Sequence, residues 1–84
     1  MERRKFNDDE IAIILNNVDD LTNKEKEVLN LMLLGKTRKE MMKELFVSES
    51  TVKTHINHIY QKLEIEGNRR AFNKKMHELI NIDK

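Results

Sequence analysis

Apolar residues recur along this chain at the three- and four-residue spacing of amphipathic helices and not at the alternate spacing of strands. The first segment of this kind has apolar residues at positions i, i+3, i+4 and i+7, which form one face of a helix. They are Ile11, Ile14, Leu15 and Val18. Asn7 precedes them, and Glu10 three residues later completes a capping box. The pattern predicts a helix over residues 8–18.

Two further capping boxes mark the starts of the next two helices. Thr22 with Glu25 begins one helix, and Thr37 with Glu40 begins the other. The earlier helix carries an apolar stripe of Val28, Leu29, Met32 and Leu33. Gly35 ends it, because glycine accepts the left-handed conformation that follows a last helical turn. The later helix is short and runs through Met41, Met42 and Leu45.

A turn and a longer helix follow. Phe46 and Val47 interrupt the helical pattern, and Ser48 is a good N-cap for a helix near residues 49–63. Two short helices joined by a turn of about three residues are the sequence outline of a helix-turn-helix. Because the second helix of that motif enters the major groove of DNA, residues 49–63 are the predicted recognition helix.

A last helix is predicted after Gly67 and Asn68, and it has one apolar face. That face consists of Phe72, Met76, Leu79 and Ile80. Five helices without a strand pattern predict an all-α fold. We divide the chain into an N-terminal acidic amphipathic helix or appendage, residues 1–20, and a helix-turn-helix module, residues 21–84.

Composition and charge limit the possible classes of protein. The 84 residues suffice for one small core, and the absence of cysteine excludes a disulfide framework or a thiolate metal site. The apolar runs are too short to span a bilayer, so we expect a soluble cytoplasmic protein. Residues 1–20 hold three basic and six acidic side chains, whereas residues 21–84 hold thirteen basic and nine acidic ones. This asymmetry suits a basic binding module with an acidic N-terminal segment.

The predicted recognition helix has distinct faces when its residues are placed about 100° apart. The apolar face consists of Val52, Ile56, Ile59, Tyr60 and Leu63. The exposed stripe consists of Ser50, Lys53, Thr54, Asn57 and Gln61. The flank of this stripe consists of Thr51, His55, His58 and Lys62. Glu49 is the only acid on the exposed surface of this helix. Such side chains bond to base edges and are not repelled by phosphate, so this stripe favours double-stranded DNA as a partner over a merely solvated face.

These residues resemble the LuxR-type (NarL/GerE-like) helix-turn-helix DNA-binding domain family over about residues 21–80. The resemblance rests on the segments 21–29, 45–56 and 59–63, and on Gly35, Thr37 and Glu40. Its most specific part is the run Thr51-Val52-Lys53-Thr54-His55. It implies a four-helix bundle, here with an extra N-terminal helix, that regulates transcription by binding specific DNA sequences as a dimer.

The resemblance also implies roles for individual residues. The implied base-reading residues are Lys53, Thr54 and Asn57. The implied phosphate contacts are Thr37, Lys39, Ser50, Thr51, His58 and Lys62. The implied dimer interface is the face of the last helix formed by Phe72, Met76, Leu79 and Ile80. Double-stranded DNA, a second copy of the chain and RNA polymerase are the implied partners, without a cofactor or a membrane.

Four residues depart from the family pattern. Met42 stands where a small alanine is favoured, which predicts slightly wider packing of the two motif helices. Phe46 and Glu64 each stand where a turn glycine is common, and Asn68 replaces a usual arginine. None of the four lies on the predicted base-reading stripe.

Other functions fit the sequence less well. His55 and His58 are three residues apart and no third ligand is expected near them, so we expect no metal site. No acid, base and nucleophile can be assembled, so we expect no enzyme. Region 4 of a sigma factor shares the capping box but usually has an arginine at the position of His55. A protein-interaction module that pairs with a larger regulator is the alternative, supported by the acidic first helix and the near-neutral net charge.

Overall fold

A computed structural model of the protein describes residues 5–82 and contains five α-helices in that range. They are α1 (Asp8–Asn16), α2 (Asn23–Leu33), α3 (Arg38–Leu45), α4 (Glu49–Lys62) and α5 (Arg69–Asn81). The described residues contain no strand, which confirms the predicted all-α class. The predicted segments 1–20 and 21–84 each extend beyond this range, since residues 1–4 and 83–84 lie outside it. None of the helices in residues 5–82 is both long and apolar enough to cross a membrane.

The predicted capping residues begin the helices. α1, α2 and α3 each start with a complete capping box, in which the N-cap side chain and the glutamate three residues later bond to each other's backbone N–H. Their N-caps are Asn7, Thr22 and Thr37. Ser48 and Asn68 cap α4 and α5, each by accepting a hydrogen bond from a backbone N–H. Local side-chain chemistry therefore fixes where each helix starts.

Three helix ends turn through the left-handed region of the backbone. Gly35 after α2 has φ 81, which glycine accepts without steric cost. Phe46 after α3 and Glu64 after α4 both have φ 56. The two residues that replace family glycines therefore keep the conformation that favours glycine, at a cost of about 1–2 kcal/mol each. The turn between α3 and α4 consists of residues 46–48, as predicted.

α4 lies at the centre of the helix-turn-helix, in contact with both α2 and α3. Val28 and Leu29 of α2 are completely buried in the same core as Val52 and Ile59 of the apolar face of α4. The other members of that face, Ile56, Tyr60 and Leu63, are buried or packed against the core. The predicted core-facing stripe of α4 is confirmed, and its opposite side is left exposed.

α1 belongs to the same core as the other helices. Ile11, Ile14 and Val18 are buried, and α1 packs against α5 and α2. The side-chain amide of Asn17 donates a hydrogen bond to the backbone oxygen of Leu79 at 3.1 Å. α1 itself ends at Asn16, two residues earlier than predicted. The predicted boundary at residue 20 thus separates regions of different charge but does not divide the core.

Candidate nucleic-acid interface

The start of α4 is a cluster of hydroxyl groups. Ser48 accepts a hydrogen bond from the backbone N–H of Thr51 at 3.2 Å. Its Oγ also lies 3.2 Å from Oγ of Ser50 and 3.0 Å from Oγ1 of Thr51. The hydroxyls thus sit beside the N–H groups of the first turn, where the helix dipole gives a positive partial charge. This end of α4 can therefore accept an anion such as a phosphate oxygen.

The three predicted base-reading side chains are all exposed on α4. Lys53 and Asn57 stand one turn apart, so they share one side of the helix. Lys53 Nζ lies 3.6 Å from Oε1 of Glu49, and both side chains are more than half exposed. A pair of this kind contributes little stability, so Lys53 can leave Glu49 at small cost.

Thr54 is oriented by a hydrogen bond within α4. Its Oγ1 donates to the backbone oxygen of Ser50 at 2.9 Å. Because the hydroxyl proton is used there, the groups that Thr54 offers outward are its methyl group and the lone pairs of its hydroxyl oxygen. The methyl group can contact the methyl of thymine, and the oxygen can accept a hydrogen bond.

Two exposed residues at the start of α3 lie among the predicted phosphate contacts. Thr37 caps α3, with its Oγ1 accepting from the N–H of Glu40 at 3.2 Å and its own N–H donating to Oε1 of Glu40 at 2.8 Å. Lys39 is exposed in the first turn. The N-terminus of α3 therefore offers a cationic side chain beside a positive helix end.

Lys62 and His58 have a different environment from the one the resemblance implied. Lys62 Nζ donates to Oε1 of Glu25 on α2 at 2.7 Å, and His58 Nδ1 lies 3.4 Å from Oε2 of the same carboxylate. The Glu25 side chain is only 4% exposed. Both side chains remain partly exposed, at 49% for His58 and 36% for Lys62, so their contact with phosphate stays a prediction that would require them to turn away from Glu25.

The ionisation of Glu25 depends on these neighbours. Burial by itself raises the pKa of a carboxyl group, because it disfavours the charged form. The hydrogen bond from Lys62, the backbone and side-chain hydrogen bonds of Thr22, and the charge of Lys62 outweigh burial and hold the pKa of Glu25 below its usual range. Glu25 is therefore a buried carboxylate whose charge is stabilised from both α2 and α4.

Sequence reasoning missed Glu25 as a member of any site. It identified Glu25 only as part of a capping box, a role that the structure confirms. The contact between α2 and α4 also brings Glu25 to His55 and His58, so that one ligand atom from each lies within 4.8 Å of the others. The statement that the two histidines have no third ligand nearby is therefore wrong in three dimensions. The sequence did contain one signal for this cluster, because His55 and His58 are three residues apart and therefore lie on one side of α4.

The predicted dimer face of α5 is covered within the chain. Its four residues are buried, with exposed fractions between 0% and 8%. They are Phe72, Met76, Leu79 and Ile80. α1 packs on α5, and Phe72 also stacks on Tyr60 with ring centroids 5.8 Å apart. These side chains belong to the core, so the prediction that they meet a second copy needs correction.

Comparison with known proteins gives a consistent set of relatives. Residues 19–73 match the family model described as bacterial regulatory proteins, luxR family. The chain is 47% identical over 51 residues to the spore germination protein GerE of Bacillus subtilis, covering 61% of this chain and 69% of GerE. It is 45% identical over 53 residues to the transcriptional regulatory protein LiaR of Bacillus subtilis, covering 63% of this chain and 25% of LiaR.

A regulator from Salmonella typhimurium gives a similar match. The probable csgAB operon transcriptional regulatory protein of Salmonella typhimurium is 39% identical over 51 residues, which cover 61% of this chain and 24% of that protein. The matched segment thus spans about a quarter of the length of this regulator and of LiaR. No solved structure matches the chain.

Proposed function

The chain belongs to the luxR family of bacterial regulatory proteins, a family of regulators and not of enzymes, and from that premise we propose that it regulates transcription by inserting α4 into the major groove of specific DNA sequences. The observation that supports this proposal is the exposed side of α4. Lys53, Thr54 and Asn57 project there while the apolar side of the same helix is buried on α2 and α3. A helix held in this way presents its polar side without rearrangement of the core.

In this proposal each of the three exposed residues contacts a different base. Lys53 donates to O6 and N7 of guanine after leaving Glu49. Asn57, one turn further on, pairs bidentately with adenine. Thr54 places its methyl group against thymine, because its hydroxyl proton is directed to the backbone of Ser50. Together they discriminate between bases over a short half-site.

Phosphate contacts come from the starts of α3 and α4. Thr37 and Lys39 supply a hydroxyl and a cation at one helix end, and Ser50 and Thr51 supply hydroxyls at the other. Both ends carry the positive partial charge of a helix N-terminus. These contacts fix the position of the protein on the duplex and add affinity that does not depend on sequence.

We further propose that two copies bind adjacent half-sites about one helical turn of DNA apart. The dimer contact in this proposal uses surfaces other than the buried face of α5. The bound dimer acts in the cytoplasm and meets RNA polymerase at the promoter that it regulates.

A selection from random duplexes tests the proposal. The wild-type chain is expected to enrich one sequence motif, and the triple variant Lys53→Ala, Thr54→Ala, Asn57→Ala is expected to bind duplex DNA weakly without enriching it. The matched control is a variant with two exposed α5 residues replaced, Arg70→Ala with Lys74→Ala, which should keep the motif. If folded wild-type protein enriches no motif, sequence-specific binding is wrong, and the protein-interaction module becomes the better description.

A further inference from the structure

We propose that Glu25, His55 and His58 form a site for a divalent transition metal, with zinc as the best fit. His55 and His58 are separated by three residues on α4, so their rings lie on neighbouring positions of one helix face. Glu25 comes from α2, which packs directly against α4. The ligand atoms that the three side chains offer all lie within 4.8 Å of one another. Two imidazoles and one carboxylate are a ligand set that zinc accepts.

The distances require only a small contraction. Zinc bonds of about 2.0–2.1 Å in tetrahedral geometry place neighbouring ligand atoms roughly 3.3 Å apart. His58 Nδ1 and Glu25 Oε2 are already separated by 3.4 Å. All separations in the group are within 4.8 Å, so none must close by more than roughly 1.5 Å, which is within the range of a side-chain rotation. The fourth position of such a site belongs to water.

The polar groups of this cluster are incompletely paired within the protein. Nδ1 of His55 is buried and has no hydrogen-bond partner among the described residues. A buried polar atom without a partner carries a desolvation cost that a bonded partner removes. A metal bound by one nitrogen of His55 polarises the ring and strengthens any hydrogen bond that the other nitrogen makes.

Lys62 competes with the metal for the carboxylate. Its ammonium group lies 2.7 Å from Oε1 of Glu25, so it neutralises the negative charge of the carboxylate that would attract a metal ion. The Lys62 side chain is 36% exposed and long enough to turn its charge toward solvent. Metal binding therefore exchanges one cation for another at Glu25. It follows that removing the lysine charge should strengthen metal binding, whereas removing a histidine should weaken it.

Calorimetric titration of the full chain, purified without a histidine tag, with zinc chloride near pH 7 tests the site. We expect saturable binding of one zinc ion per chain and a rise in Tm of about 10–20 °C at a zinc concentration a hundredfold above Kd. His58→Asn should weaken binding about tenfold or more, because it removes a ligand while keeping a polar side chain. Lys62→Met, measured well below its own Tm, should strengthen binding about tenfold. Magnesium should not bind, because the site offers nitrogen ligands.

His77→Asn is the matched control. His77 lies on α5 beside Phe6, with ring centroids 5.3 Å apart, and is not part of the cluster. It should bind zinc as the wild type does. The proposal is overturned if wild-type protein shows no saturable one-to-one binding, if His77→Asn loses as much affinity as His58→Asn, or if Lys62→Met binds zinc more weakly than wild type. The absorption spectrum of bound cobalt supplies a second measurement, since a tetrahedral site gives intense visible bands that His58→Asn should weaken.

Discussion

The ammonium group of Lys62 on α4 lies 2.7 Å from the buried carboxylate of Glu25 on α2. These residues are 37 positions apart in sequence, and their contact joins the end of α4 to the start of α2, on which α4 packs. Glu25 also closes the capping box of α2 through Thr22. One carboxylate therefore fixes both the start of α2 and the position of α4 relative to it.

Replacing Lys62 should destabilise the fold. In Lys62→Met the Glu25 carboxylate keeps its bonds to Thr22 but loses its strongest cationic partner, so we expect a loss of about 2 kcal/mol in the free energy of unfolding. Lys53→Met is the matched control, because the pair of Lys53 with Glu49 is mostly exposed and contributes at most about 0.5 kcal/mol. Urea denaturation measures both values. Equal stability of the two variants would show that the buried contact does not stabilise the protein.

The same carboxylate gives the stability a dependence on pH. The pKa of Glu25 is lower in the folded chain than its usual value of about 4.3. The unfolded chain therefore binds the proton more readily, and the contribution of Glu25 is fully present above about pH 4.3 and is lost as the pH falls through the folded pKa. Urea denaturation at a series of acidic pH values should show a shallower decline for Glu25→Gln than for wild type. Parallel declines would contradict this assignment.

The buried side of α1 predicts a cost for shortening its side chains. Ile14 is completely buried between α1 and the rest of the core, so Ile14→Ala should reduce the free energy of unfolding by about 2–4 kcal/mol. Ile13→Ala, the same substitution at a half-buried position of the same helix, should cost less than about 1 kcal/mol. Thermal and urea unfolding compare the two. If Ile14→Ala is as stable as wild type, α1 is an appendage after all.

The left-handed residue after α4 predicts a stabilising substitution. Glu64 is exposed and has φ 56, so Glu64→Gly relieves backbone strain and should raise the stability by about 1 kcal/mol. Glu66→Gly, in the same connection but without a positive φ, should lower it by several tenths of a kcal/mol, because glycine increases the entropy of the unfolded chain. Changes of the same sign in both variants, measured as Tm, would mean that strain at residue 64 is not the cause.

The helices and the exposed side of α4 could be predicted because they depend on residues close together in sequence. A capping box spans three residues, and the apolar stripe of α4 repeats every three or four. Even the strained turns could be found, since Phe46 and Glu64 stand where the family pattern has glycine. Such signals are independent of how the helices pack.

The partners of a helix face could not be predicted in the same way. Periodicity identified the apolar face of α5, but it contains no information on whether α1 or a second copy covers that face. Met76 is completely buried, so its burial is explained within one chain. The pairing of Lys62 with Glu25 likewise depends on the crossing of α2 and α4, which no local pattern specifies.

The base-reading role of Lys53 gives the sharpest test of the proposed function. If Lys53 bonds to guanine, Lys53→Ala should cost about 1–3 kcal/mol on the selected motif and relax preference at one base pair. Lys39→Ala, which removes an exposed cation at the start of α3, should weaken binding to all sequences alike and reduce the salt slope by about one. Competition of each variant between cognate and scrambled duplexes across a salt series separates the two effects. Should Lys53→Ala lower both affinities equally, Lys53 is an electrostatic anchor, and the reading of bases rests on Thr54 and Asn57.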